Sequence, residues 1–233
     1  MKVEIWSDIV CPFCYIGKRK FEKALEGFEA KDTVEIEWRS FQLDPEMKYV
    51  PEQSVHEYLG RRKGATTAEG KQMNDAMAAM AKEVGLEYNF DKAIINNTFD
   101  AHRLLHLAKK HGLQNETKER LFAAYYTEGE NIGDINTLVR LGEEVGLDAD
   151  EIRNTLQSGA FKQDVEQDQY GARQVGARGV PFFVFNNKYA VSGAQPTEVF
   201  TQVLDKLLED EKPVLVSNES EGFCTADGVC TPA

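Results

Sequence analysis

The sequence predicts an α/β fold interrupted by a large all-helical insertion. Two observations carry this reading. Strand-like alternation of polar and apolar residues opens the chain and returns after residue 180. Between the two stretches lie about a hundred residues with helical periodicity and no convincing strand. A closing stretch, 211–233, is rich in Ser, Gly, Glu and Pro and reads as a tail.

Residues 2–6 (KVEIW) alternate and form the first predicted strand. Pro12 suits a first helical position, and Phe13, Ile16, Phe21, Ala24, Leu25 and Phe28 follow mostly three to five apart, so a helix starts there. Residues 34–41 (VEIEWRSF) alternate again and complete a βαβ unit. In the middle block, 67–84 carries Met73, Met77 and Met80 at helical spacing and stops at Gly85. A helix over 100–111 ends at Gly112, one over 115–126 is capped by Asn115, and one over 134–145 is capped by Asp134 and followed by Gly146. A shorter helix spans 148–156. A helix over 161–175 leads back to the sheet. The apolar strand 182–185 follows, then a turn at Asn186 and Asn187, a paired strand over 188–192 and an amphipathic helix over 196–208. Without the insertion the order is β-α-β then α-β-β-α, which is the order of a thioredoxin fold. The expected organisation is a discontinuous thioredoxin-fold domain over 1–45 and 161–210, a helical insertion domain over 46–160, and a cysteine-bearing tail over 211–233.

With 233 residues, 42% apolar and 28% charged, the chain has the composition of an ordinary globular protein. Its 27 basic and 39 acidic side chains give a net charge of −12, which repels phosphate backbones and anionic lipid; neither nucleic acid nor a membrane is an expected partner. No apolar run reaches the ~18 residues of a membrane span. Glu4 and Asp8 interrupt the start before a signal-peptide core could form, so the expected location is the cytoplasm.

Four cysteines, Cys11, Cys14, Cys224 and Cys230, are too few for a disulfide-built scaffold and fall in two close pairs at opposite ends of the chain. The first pair, Cys11-Pro12-Phe13-Cys14, is a C-x-x-C where the first strand hands over to the first helix. Cys11 at a helix N-terminus meets unpaired amide hydrogens and the positive end of the dipole, which favour a thiolate. That thiolate attacks a disulfide sulfur, and Cys14, one turn on, resolves the mixed disulfide. The competing reading is a zinc half-site, which needs four ligands and a second pair. The tail pair, separated by the Asp227-Gly228 turn signal, suits a closed disulfide loop that exchanges with the first pair or acts as a second redox site. A four-cysteine zinc site and a pair of no consequence stand as alternatives.

Pro181, in Gly179-Val180-Pro181-Phe182-Phe183, opens a strand, where by base rate a trans bond is expected. His102 and His106 stand four apart on one helix face, but Arg103 occupies the position where a zinc-protease motif requires Glu. They are therefore read as satisfied histidines and no metal site is assigned. Met73, Met77 and Met80 are read as bundle core, with a peptide-binding groove as the alternative.

Four segments together resemble the DsbA-like thioredoxin superfamily, and within it the FrnE-type cytosolic dithiol–disulfide oxidoreductases. They are Ser7-Asp8-Ile9-Val10-Cys11-Pro12-Phe13-Cys14, Asn97-Thr98-Phe99-Asp100-Ala101-His102-Arg103-Leu104, Gly179-Val180-Pro181-Phe182-Phe183-Val184 and Ser192-Gly193-Ala194-Gln195-Pro196. The resemblance implies a thioredoxin fold with a helical domain over the active site, Cys11 as nucleophile, Cys14 as resolving thiol, and Pro181 as a cis-proline against the pair. It also implies that the Val180 backbone pairs with an extended substrate peptide and that Asn97 and His102 face the substrate cleft. Phe13 departs from the periplasmic branch, which carries histidine there, so a less acidic Cys11 and a less oxidising disulfide are expected. The expected activity is thiol–disulfide exchange or isomerisation on protein or peptide substrates, with a cellular thiol reductant or oxidant as partner and no cofactor. A glutathione-dependent small-molecule isomerase or transferase of the same superfamily and a zinc-stabilised binding module are the alternatives.

Overall fold

The two alternating N-terminal segments pair in parallel, β1 (Lys2–Ser7) beside β2 (Glu35–Ser40), in register from Lys2↔Glu35 to Ser7↔Ser40. The crossover between them is α1 (Pro12–Glu26), which Pro12 starts at the position where a missing amide hydrogen costs nothing. The structure, a computed structural model, describes residues 1–210 and the backbone of two short strands, Phe223–Cys224 and Cys230–Thr231.

Two C-terminal strands complete the main sheet. β3 (Phe182–Phe185) runs antiparallel to β1, and β4 (Tyr189–Ser192) antiparallel to β3, giving the order β2-β1-β3-β4. Asn186 and Asn187 both take positive φ, 47° and 54°, as a tight hairpin turn of the twisted sheet requires. Period-two alternation then sorts the strand residues. Val3, Ile5, Phe183 and Phe185 meet Phe21 of α1 and Phe200, Leu204 and Leu207 of α9 (Thr197–Asp210) on one face. The Phe21 and Phe200 rings lie 5.7 Å apart, and Phe183 lies 4.8 Å from Phe200. Removing such a buried ring typically costs about 3–5 kcal/mol, so this cluster is a main anchor of the sheet. On the opposite face Trp6, Phe182 and Val184 pack against Ala172 of α8 (Lys162–Gln174). This is the thioredoxin fold that the sequence predicts.

Between β2 and α8 run α2 (Val55–Lys63), α3 (Thr67–Glu83), α4 (Phe99–Lys110), α5 (Gln114–Ala123), α6 (Ile135–Glu144) and α7 (Ala149–Gln157). Their starts follow local chemistry: Ser54 caps α2, Thr66 and Glu69 form a reciprocal capping box on α3, and Asp134 and Asp148 cap α6 and α7. The Asn115 cap is a correction. α5 begins at Gln114 without a side-chain cap, and Asn115 lies inside it, where Oδ1 accepts from the Trp38 indole at 3.1 Å. α5 also ends earlier than periodicity predicts, passing into a π-helical turn over Ala124–Glu128 that buries Tyr125 and Tyr126.

In the tail, Phe223–Cys224 and Cys230–Thr231 pair antiparallel with Cys224 opposite Cys230 along the backbone. The side chains of that predicted pair lie outside the described residues.

Candidate active site

β1 ends at Ser7, and a short turn brings Cys11 to the N-cap of α1 with extended backbone (φ −91°, ψ 110°). Cys14 follows in the first turn. Both are free thiols and both are buried, 4% and 1% exposed. The Val180–Pro181 bond is cis, as the resemblance implies and against the base rate for X–Pro bonds. The Cys11 thiol donates to the Val180 carbonyl at 3.4 Å, which brings together Cys11, Cys14, Val180 and Pro181 from opposite ends of the chain.

A cavity of about 530 Å³ opens on Cys11, with Val10, Phe13, Met73, Met77, Phe90 and Val180 among its walls. Met77 packs against the bundle core, as expected, and with Met73 also lines the cavity, whereas Met80 is 38% exposed. Flexible thioethers on such a wall fit apolar groups of varied shape. Asp8, Asp44, Arg62 and Lys63 are the charged wall residues; Arg62 is bonded to Asp44 and to the Tyr58 hydroxyl.

Asn97 and His102 do not line this cavity. Asn97 pins the segment after β2, donating to the Pro45 and Met47 carbonyls and accepting from Gln42. His102 is fully buried with Nε2 3.3 Å from Asp8 Oδ1, and Asp8 Oδ2 accepts from the Leu43 amide. His106 turns to Ser40 at 3.0 Å, so the two histidines serve different partners. No group of three metal-ligating side chains occurs among the described residues.

The electrostatics correct one expectation. A helix N-terminus favours a thiolate at Cys11, yet here the Cys14 thiol beside it, burial and the Asp8 charge push the Cys11 thiol well up, outweighing the Cys14 amide that works the other way. The thiol form of Cys11 is therefore favoured at rest, through Cys14, burial and Asp8.

Three residues to which the sequence assigned no role complete the site. The Tyr88 hydroxyl donates to the Pro12 carbonyl at 2.7 Å, tying the insertion to the motif. Asp8 is buried behind the motif. Lys118 of α5 is 1% exposed, with Nζ 5.4 Å from the Trp38 ring centre and 4.8 Å from that of Phe122. A trace of Lys118 was legible: Gln114, Thr117, Lys118, Leu121 and Phe122 form one helical stripe, and the stripe is buried.

Comparison with known proteins agrees with this geometry. The model of a family described as DSBA-like thioredoxin domain matches residues 2–205. The uncharacterized protein YwbO of Bacillus subtilis (strain 168) is 31% identical over 217 residues, covering 90% of this chain and 96% of that protein. The crystal structure of SCO1869 of Streptomyces coelicolor, described as a probable DsbA oxidoreductase, superposes with a TM-score of 0.85 at 39% identity, covering 100% of this chain and 99% of that one. The cytosolic disulfide reductase DsbM of Pseudomonas aeruginosa shares the fold, with a TM-score of 0.59 at 15% identity over 90% of this chain and 99% of that one.

Proposed function

The chain belongs to the DSBA-like thioredoxin domain family, and from that premise we propose that it is a thiol–disulfide oxidoreductase acting on protein or peptide disulfides through Cys11 and Cys14. The observation that carries this reading is the meeting of the Cys11 thiol with the Val180 carbonyl beside Pro181, at the edge of an apolar cavity. Cys11 attacks a substrate disulfide and forms a mixed disulfide. Cys14 then attacks Cys11 and releases the reduced product, leaving a Cys11–Cys14 disulfide. A substrate segment extended across Val180 would compete for the carbonyl that now accepts the Cys11 thiol, which frees that thiol to ionise. A protonated resting thiol suits a couple more reducing than one built on a strongly acidic cysteine. The partner that resets the pair is a cellular thiol reductant or oxidant, in the cytoplasm, and no resident cofactor takes part. Cys224 and Cys230 form an auxiliary pair that exchanges with the first.

Insulin reduction and refolding of scrambled ribonuclease test this. Cys11→Ser abolishes both activities, Cys14→Ser traps mixed disulfides, and serine at both 224 and 230 slows reoxidation while leaving the first half-reaction in place. Retention of both activities in Cys11→Ser would refute the assignment.

A further inference from the structure

Lys118 is buried, yet among the described residues it has ring contacts and no hydrogen bond or ion pair. A buried ammonium that no carboxylate touches is unfavourable, and an anion forming close to it relieves part of that cost. The groups that face it come from several elements: Cys11, Cys14 and Lys18 at the start of α1, Asp8 after β1, and His102 of α4. The aromatic packing places α5 behind the thiols. Phe122, one turn beyond Lys118, stacks at 4.6 Å on Tyr15, the residue after Cys14.

Resolution requires Cys14 to lose its proton, and at 1% exposure its thiol has no bulk water at hand. Two of the neighbours are poor bases. Burial alone would raise the Asp8 carboxyl, but His102 and the Leu43 amide outweigh it and hold Asp8 below its ordinary value. Burial pushes the His102 ring down. Lys118 differs, because burial brings its ammonium down to about 8, within the ordinary range of a thiol, against the upward pull of Cys14, Asp8 and Cys11.

We propose that Lys118 is the proton acceptor and counter-charge for Cys14 in the resolving step, a role that rests on the exchange activity proposed above. The neutral Lys118 amine takes the Cys14 proton, leaving a thiolate beside an ammonium. Cys14 Sγ bonds to Cys11 Sγ, the bond from Cys11 to the substrate sulfur breaks, and the substrate leaves as a thiolate that is protonated by solvent. The two cysteines are oxidised, the substrate disulfide is reduced, and Lys118 holds the proton until the pair is reduced again.

Single-turnover reaction with the chromogenic aromatic disulfide dithiobis(nitrobenzoate) separates the two steps, since one coloured thiolate leaves on Cys11 attack and the second on resolution. The parent is the full chain with serine at 224 and 230, so that only the first pair reports. Lys118→Met keeps the length of the side chain and removes its charge, a change that a buried site commonly tolerates; Lys118→Leu repeats the test should that variant not fold. The expected result is an unchanged first phase. The second phase slows about tenfold at neutral pH, with its pH midpoint raised by about one unit or more. A second phase with the parent's rate and midpoint, or equal slowing of both phases, overturns the role of Lys118. Absence of any Cys11-dependent first phase in the parent overturns the exchange activity itself, and the Lys118 role with it.

Discussion

Pro181 rests on Gly17: a β-carbon added at Gly17 would stand 3.0 Å from Pro181 Cγ and 3.4 Å from Phe183 Cζ. The helix that carries the thiols therefore approaches Pro181 and the start of β3 at a point where Gly17 puts no side chain of its own in between. Gly17→Ala sets a helix-propensity gain of up to about 1 kcal/mol against a tight contact and should be close to neutral in stability. Gly17→Val overpacks the same point and should destabilise by about 1–3 kcal/mol. It should also lower exchange activity by moving Val180 away from Cys11. Thermal unfolding and insulin reduction read the two effects separately.

Phe13 lines the cavity beside Cys11 and offers its sulfur neither charge nor hydrogen bond. Phe13→His supplies both, so the Cys11 thiol becomes more acidic and its disulfide more oxidising. Each tenfold shift of the exchange equilibrium amounts to about 30 mV in a two-electron couple. Ultraviolet thiolate absorbance against pH, together with equilibration against a thiol–disulfide buffer, measures both quantities. An unmoved thiol titration would contradict the role given to Phe13.

Glu119 receives hydrogen bonds from Tyr15, Lys18 and Arg19 and so fastens α5 to α1 directly behind the motif. Burial alone would raise its carboxyl, but Arg19, Lys18 and Tyr15 outweigh that and hold it down to about 2. A carboxyl whose pKa is lower folded than unfolded contributes stability above its unfolded value, near 4.3, and loses it as pH falls toward the folded value. Wild type should therefore unfold at a higher temperature than Glu119→Gln above about pH 5, and the gap should close as pH falls toward about 2. A gap independent of pH would contradict the prediction.

The strands and the thiol pair were legible because each depends on local sequence. Period-two alternation marks β1 and β2, and Cys11 and Cys14 share one motif at the strand–helix junction. Pro181 was placed only through the resemblance, since nothing in the residues around it selects a cis bond. Partners set by distant packing were not legible. Asn115 has the chemistry of a helix cap, but its acceptor is used by Trp38, 77 residues away in sequence. Lys118 lies on a mixed stripe with Gln114, Thr117, Leu121 and Phe122, where a lysine's long stem normally lets the charge reach water, whereas here its amine lies inside against the Trp38 and Phe122 rings. His102 and His106 share a face by spacing, yet they meet different elements of the sheet domain.

Cys11 and the carbonyl that accepts its hydrogen bond are 169 positions apart in the chain. At the pace of a ribosome, roughly 5–20 residues per second, the dithiol is made roughly 10–30 seconds before Val180. Throughout that interval the nascent chain carries a vicinal dithiol with no strand β3 to close beside it, and for most of it no complete insertion to cover it. The dithiol is thus open to oxidation for some seconds before the segment that closes beside it has been made.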